Sequence, residues 1–149
     1  MTVHVSNLTH DDRSDWEQLY HGYAKFYKVP MNKEILDTVW GWIHDPDMRF
    51  FGIAARDSNG KPIGMMHYRE MPSPLRGKYI GFLDDLFILP ESRGTGAMDA
   101  LFATLKNNAA FEGWSIVRWI TAENNYRGRG AYDKLSEKTH WATYQMSAE

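Results

Sequence analysis

Leu89-Pro90-Glu91-Ser92-Arg93-Gly94-Thr95-Gly96-Ala97-Met98 joins an apolar, strand-like run ending at Leu89 to a stretch with helical spacing from Ala97 to Phe111. A strand that passes through a glycine turn into a helix leaves the first helical amides without intrahelical partners. They point forward from the positive end of the macrodipole. Gly94 and Gly96 allow backbone angles that other residues avoid and let an anion come close to the main chain. Arg93 adds a fixed positive charge. Arg93, Gly94, Thr95, Gly96, Ala97 and Met98 therefore read as the cradle of a phosphate-bearing cofactor. The segment is not a Walker loop, because no Gly-Lys-Ser/Thr follows the glycines. Nor is it a dinucleotide fingerprint, because Asp99 stands where the third glycine would be.

Composition narrows the class. The 149 residues suit one domain, 1–149, large enough to bury a core without staples. The absence of cysteine removes disulfides, thiolate nucleophiles and Cys-based zinc sites together. The six histidines show no metal-ligand spacing, so no metal is expected. A net charge of −2 and a pI near 6.3 give no general reason to bind nucleic acid. The absence of a secretory apolar segment or a membrane-length run points to the cytoplasm and away from a membrane. Aromatic residues make up 14% of the chain, enough to supply both a core and the walls of a pocket.

Working outward from the glycine turn, Val3 to Leu8 reads as a strand and Thr9 or Asp11 as the cap of a helix carrying Trp16, Leu19, Tyr20, Tyr23 and Tyr27. Asn32 caps a second helix to His44. Strands over Phe50 to Arg56 and Pro62 to Met71 meet at Asp57-Ser58-Asn59-Gly60, a hairpin turn, and Lys78 to Leu89 is the next strand. Ala97, Leu101, Leu105 and Ala109 form the buried stripe of the central helix, and Gly113 ends it. Ser115 to Thr121 reads as a buried strand, Tyr126 to Leu135 as a helix, and Trp141 to Met146 as a final strand. The order β-α-α-β-β-β-α-β-α-β implies an α/β fold with a mixed sheet, antiparallel in its first half.

Two segments carry a family resemblance. Arg93-Gly94-Thr95-Gly96-Ala97-Met98 after its strand, and Trp119-Ile120-Thr121-Ala122-Glu123-Asn124-Asn125 followed by Tyr132, resemble the GNAT family of acetyl-CoA-dependent N-acetyltransferases. Met98 stands where Gly or Ala is usual, and Gly128 where Ala is commoner. The resemblance implies the GNAT acyl-CoA N-acyltransferase fold and acetyl-CoA as co-substrate. Main-chain groups of Leu86, Phe87 and Ile88 would pair with the pantetheine arm as an added strand, at a point where a bulge splays this strand from its neighbour. Asn125, an N-cap in its own right, would also bond to the cofactor. Arg129 or Lys134 would lie near its 3′-phosphate. Loosely, the pattern is similar to the small histone, polyamine and D-amino-acid acetyltransferase branch, whose members often form homodimers through late strands.

The chemistry follows from the acceptor. An alkyl amine has a pKa of about 10 and is a cation at neutral pH, so acetyl transfer needs a base. Asp84 and Asp85 lie mid-strand before the cradle and are the candidates, Asp84 first. Regular alternation would send them to opposite faces, leaving at most one for a given cleft. Tyr132 matches the family's general acid, a phenol that can protonate a departing thiolate. The expected partner is a primary amine: a polyamine, a lysine side chain, an amino acid or another small amine. A carboxylate on it would need Arg56, Arg69 or Arg76. The Tyr20, Tyr23, Tyr27 stripe reads mostly as core, with one or two able to line the cleft, and His67 as a surface or pocket-wall residue. The alternative function is a non-catalytic acyl-CoA sensor or partner-binding module on the same fold.

Overall fold

The computed structural model describes residues 2–149. The chain divides into one unit ending at Trp119 and a second, Ile120–Glu149. The first unit is a five-stranded sheet in sequential order with three helices. Its strands are β1 (His4–Asn7), β2 (Phe50–Arg56), β3 (Pro62–Ser73), β4 (Lys78–Ile88) and β5 (Val117–Trp119). Neighbours from β1 to β4 are antiparallel, and β4 pairs with β5 in parallel. The expected mixed α/β sheet is thus formed.

Local chemistry sets the element ends. At the start of the chain, Thr9 and Asp12 form a capping box ahead of α1 (Arg13–Tyr27). That helix ends at Lys28, in the left-handed region at φ 57°, two residues before Pro30. Asn32 accepts from the Ile35 amide at 2.9 Å to cap α2 (Lys33–His44). In the β2–β3 hairpin, Gly60 takes φ 82° while the Asp57 carboxylate accepts from the amides of Asn59 and Lys61. Ala97, Leu101, Leu105 and Ala109 are all buried along α3 (Ala97–Glu112).

Two apolar layers flank the sheet. Alpha-3 packs on one face with Met66, Tyr68, Leu83, Ile88 and Trp114, and the first two helices pack on the other with Trp16, Leu19, Trp40, Met65 and Phe87. Alpha-1 comes close to β4 because Gly22 has no side chain: a Cβ there would meet the Phe87 ring at 2.7 Å.

A buried ion pair ties the N-terminal segment to this frame. Arg56 donates to both carboxylate oxygens of Asp12 at 2.8 Å and to the Asn7 carbonyl at 2.9 Å. The guanidinium hydrogen bonds, aided by the Thr9 amide, outweigh burial and hold the Asp12 carboxyl below its usual range. A lowered folded-state pKa stabilises the fold above the ordinary carboxylate range, and this contribution is lost as pH falls through the folded value. Asp12→Ala is expected to cost about 3 kcal/mol at neutral pH by leaving Arg56 buried without its counter-ion. Urea unfolding measures it, and the difference from the parent should shrink below about pH 4.

Two expectations about the strands are corrected. Trp141 to Met146 is neither strand nor helix, and Trp141 and Tyr144 are 77% and 93% exposed, so no inner face is formed. The expected terminal edge strand, and the argument from it to a dimer, therefore have no structural basis. The Ser115–Thr121 strand shrinks to the three half-buried residues of β5. Among the described residues, no helix is long and apolar enough to cross a membrane.

The second unit contains α4 (Tyr126–Leu135), as expected. Asn125 caps it, accepting from the Gly128 amide at 3.2 Å while donating to Thr121 Oγ1 at 3.0 Å. Gly128 is required by this cap: a Cβ there would lie 2.5 Å from the Asn125 side-chain nitrogen.

Candidate active site

Strand β4 creates the site by breaking its own regularity twice. Its last rung with β5 is Leu83 to Trp119, and the strand then continues to Ile88 paired only with β3. Asp84 to Ile88 therefore present main-chain groups along an edge with no strand partner among the described residues, and Leu86, Phe87 and Ile88 lie on it. The second irregularity is a bulge. His67 faces Asp85 and Tyr68 faces Leu83, so Asp84 is the extra residue.

The bulge corrects the expectation from alternation. Leu83 and Leu86 share the layer beneath α3, and between them both Asp84 and Asp85 reach the opposite face. There they line one cleft of about 520 Å³ with Tyr20, Arg69 and Glu70; Val39, Trp42, Met48 and Phe50 supply its apolar walls.

The two carboxylates have different surroundings. Asp85 Oδ2 accepts from the Tyr20 hydroxyl at 2.9 Å and lies 2.8 Å from His67 Nδ1. Burial alone would raise its pKa, but the His67 and tyrosine hydrogen bonds outweigh it and leave Asp85 below the usual carboxylate range. Burial and the Asp85 charge push the Tyr20 phenol upward, so it stays a neutral donor. Asp84 is only partly compensated. Arg69 Nε sits 3.1 Å from Asp84 Oδ2, but the N–H is not aligned on that oxygen, which has no hydrogen-bond donor. Burial raises Asp84, Arg69 lowers it, and Asp85 raises it again; the net position is above the usual range. Arg69 is itself braced over the Phe82 ring at 4.8 Å.

The glycine turn has the expected form. Gly94 and Gly96 take φ values of 79° and 89°, and a Cβ on either would meet no protein atom within 4 Å. The space in front of the α3 N-terminus is open, and Thr95 Oγ1 donates to the Ser92 carbonyl at 2.6 Å to fix the turn. Open space, positive φ and forward-facing amides of Ala97 and Met98 fit a phosphate group.

Residues 16–136 match the model of the acetyltransferase (GNAT) family. The chain belongs to that family. This acetyltransferase is also 27% identical over 144 residues to the D-amino-acid N-acetyltransferase HPA3 of Saccharomyces cerevisiae, covering 96% of this chain and 89% of that protein. Among solved structures it resembles a possible acetyltransferase from Clostridium difficile 630, with TM-score 0.85, 14% identity, and 100% and 99% of the two chains covered. It also resembles AAC(6')-Iy in complex with the bisubstrate analog CoA-S-monomethyl-acetylneamine, with TM-score 0.84, 15% identity and 99% of each chain covered. These likenesses confirm the fold, and the family makes the protein an N-acetyltransferase.

The residues beneath the acetyltransferase's cleft leave little mark in the sequence. His67 is wholly buried rather than at a surface or pocket wall, and its Nε2 accepts from Trp16 Nε1 at 2.9 Å. Of the tyrosine stripe, Tyr20 lines the cleft and the Tyr23 hydroxyl lies 3.4 Å from the Asp84 carbonyl. Arg56 is committed to Asp12 and Arg76 donates to Ser73, so Arg69 is the only one of the three candidate arginines lining the cleft. A histidine inside an otherwise apolar strand stretch, Ile63 to Tyr68, was the one available signal.

Proposed function

We propose that this acetyltransferase moves an acetyl group from acetyl-CoA to a primary amine bound in the cleft beside Asp84. The observation that carries the proposal is the asymmetric acid pair at the point where β4 leaves β5. One carboxylate accepts from both His67 and Tyr20, while the other is raised in proton affinity and has an oxygen without a donor. In this reading Asp84 is the base and Asp85 supplies a second negative charge for a cationic acceptor.

The co-substrate would be held by Arg93, Gly94, Thr95, Gly96, Ala97 and Met98 at its pyrophosphate, and by the free main-chain groups of Leu86, Phe87 and Ile88 along its pantetheine arm. Asn125 would add a side-chain bond. Acetyl-CoA supplies a thioester carbonyl open to attack by a neutral amine. Asp84 takes one proton from the ammonium, the amine nitrogen bonds to the acetyl carbon, and the carbon–sulfur bond breaks. Tyr132 donates its phenolic proton to the departing sulfur, and the second proton lost from the new amide nitrogen restores the phenol through solvent. One amide freed along β4 would donate to the carbonyl oxygen as charge builds there. In this reading residues 1–149 act as one catalytic domain in the cytoplasm, and the homodimer that the resemblance implies would form through residues other than Trp141 to Met146.

The proposal is tested by supplying acetyl-CoA with a panel of primary amines and following free thiol. Turnover on none of them, despite binding, would overturn it. Tyr132→Phe is expected to lower kcat about 10- to 100-fold while acetyl-CoA affinity stays close to the parent's, because the hydroxyl acts on the leaving group. An unchanged kcat removes Tyr132 from the acid role.

A further inference from the structure

Beneath the cleft lies a chain of hydrogen bonds that the reaction does not touch directly. The Trp16 indole N–H can only donate, so at 2.9 Å it requires a bare Nε2 on His67. The ring proton then sits on Nδ1, 2.8 Å from Asp85 Oδ2. His67 is completely enclosed, between the Trp16 and Tyr20 rings on α1 and Phe50 on β2. A buried imidazole needs partners for both nitrogens, and here it has them. The same Asp85 oxygen receives the Tyr20 hydroxyl. Two donors thus converge on one carboxylate oxygen, and the first is oriented by a third residue.

We propose that His67 is a positioning residue: locked by Trp16 in its Nδ1–H form, it holds Asp85 as a permanent anion under the cleft and thereby keeps Asp84 a competent base. The proposal rests on the reading of Asp84 given above. The groups facing this pair are Tyr20 and Tyr23 from α1, His67 and Arg69 from β3, and, along the cleft wall, Arg49 and Glu70. Of these, His67 and Tyr20 bond to the Asp85 carboxylate, while Arg69 is directed to Asp84. Losing the His67 donor would let Asp85 take up a proton, removing the neighbouring charge that raises the proton affinity of Asp84.

The test combines variants with a direct observation of the ring. In His67→Leu, the acid limb of the kcat/KM profile should move to lower pH by about one unit, as in Asp85→Asn. At neutral pH, KM for the amine should rise with the loss of cleft charge. His67→Asn keeps a side-chain N–H donor near the Nδ1 position and should retain the parental limb. A His67→Leu profile coinciding with the parent's, or an Asn variant that shifts as Leu does, would overturn the proposal. Should the Leu variant fail to fold, nitrogen-15 NMR of the unaltered protein decides: the expected spectrum shows protonated Nδ1 and bare Nε2 for His67. The opposite tautomer ends the proposal. Because the NMR reading needs no substrate, it stands apart from any failure of Asp84→Asn to lose activity, which would instead remove the catalytic reading.

Discussion

Asp84→Asn is expected to lower kcat by about 10²- to 10⁴-fold, the range contributed by a positioned base. Asparagine keeps the size of the side chain and cannot accept the proton, so at neutral pH an amine of pKa about 10 stays a cation in the cleft. The deficit should narrow as pH rises and free amine becomes abundant, whereas the parent should lose activity on the acid side, at a midpoint above the ordinary aspartate value of about 3.9. The direction of the Asp84 shift also predicts stability. A raised pKa means that the fold disfavours the ionised form, so this group's contribution improves as pH falls through that value. Removing the charge should therefore leave the neutral-pH melting temperature unchanged or higher. Steady-state rates across pH, with thermal melts alongside, check both statements. A variant within a few-fold of the parent at pH 7 would exclude Asp84 as the base.

Gly96→Val is expected to weaken acetyl-CoA binding at least about 100-fold, a loss of about 2.8 kcal/mol at 1.4 kcal/mol per tenfold change. The protein itself has room for the side chain, because no atom lies within 4 Å of its Cβ position. The loss comes from two other sources. A branched residue at φ 89° is strained, by about 1–3 kcal/mol. Its methyl groups also project into the space where a phosphate must approach the amides of Ala97 and Met98. Titration calorimetry reads the affinity and a thermal melt reads the strain. Parental affinity in a folded Gly96→Val protein would move the pyrophosphate away from this turn.

What the sequence revealed depended on whether the signal was local. The buried stripe of α3, the caps at Asn32 and Asn125, and the turn glycines each follow from a few neighbouring residues, and all are present. The resemblance implies a bulge in this strand, but its place at Asp84 is not legible, because it is a relation between β4 and β3 and nothing in Leu83-Asp84-Asp85-Leu86 distinguishes it from regular alternation. For the same reason regular alternation sends the two acids to opposite faces. His67 reads as a surface or pocket-wall residue in the sequence because its burial depends on a donor 51 residues away at Trp16 and an acceptor 18 residues away at Asp85. Trp141 to Met146 has the composition of a strand, but composition does not supply a partner.

The extra residue in β4 resets odd and even along that strand. After it, Phe87 enters the layer beneath the first two helices and Ile88 the layer beneath α3. Deleting or doubling one position there would exchange the two and empty both layers at once, so the acid pair is bound to the integrity of the whole domain. Val39 and Trp42 on α2, and Met48 in the loop that follows it, carry no such parity constraint. A protein of this design can therefore be retuned toward a new acceptor by repainting its walls, while the floor stays fixed.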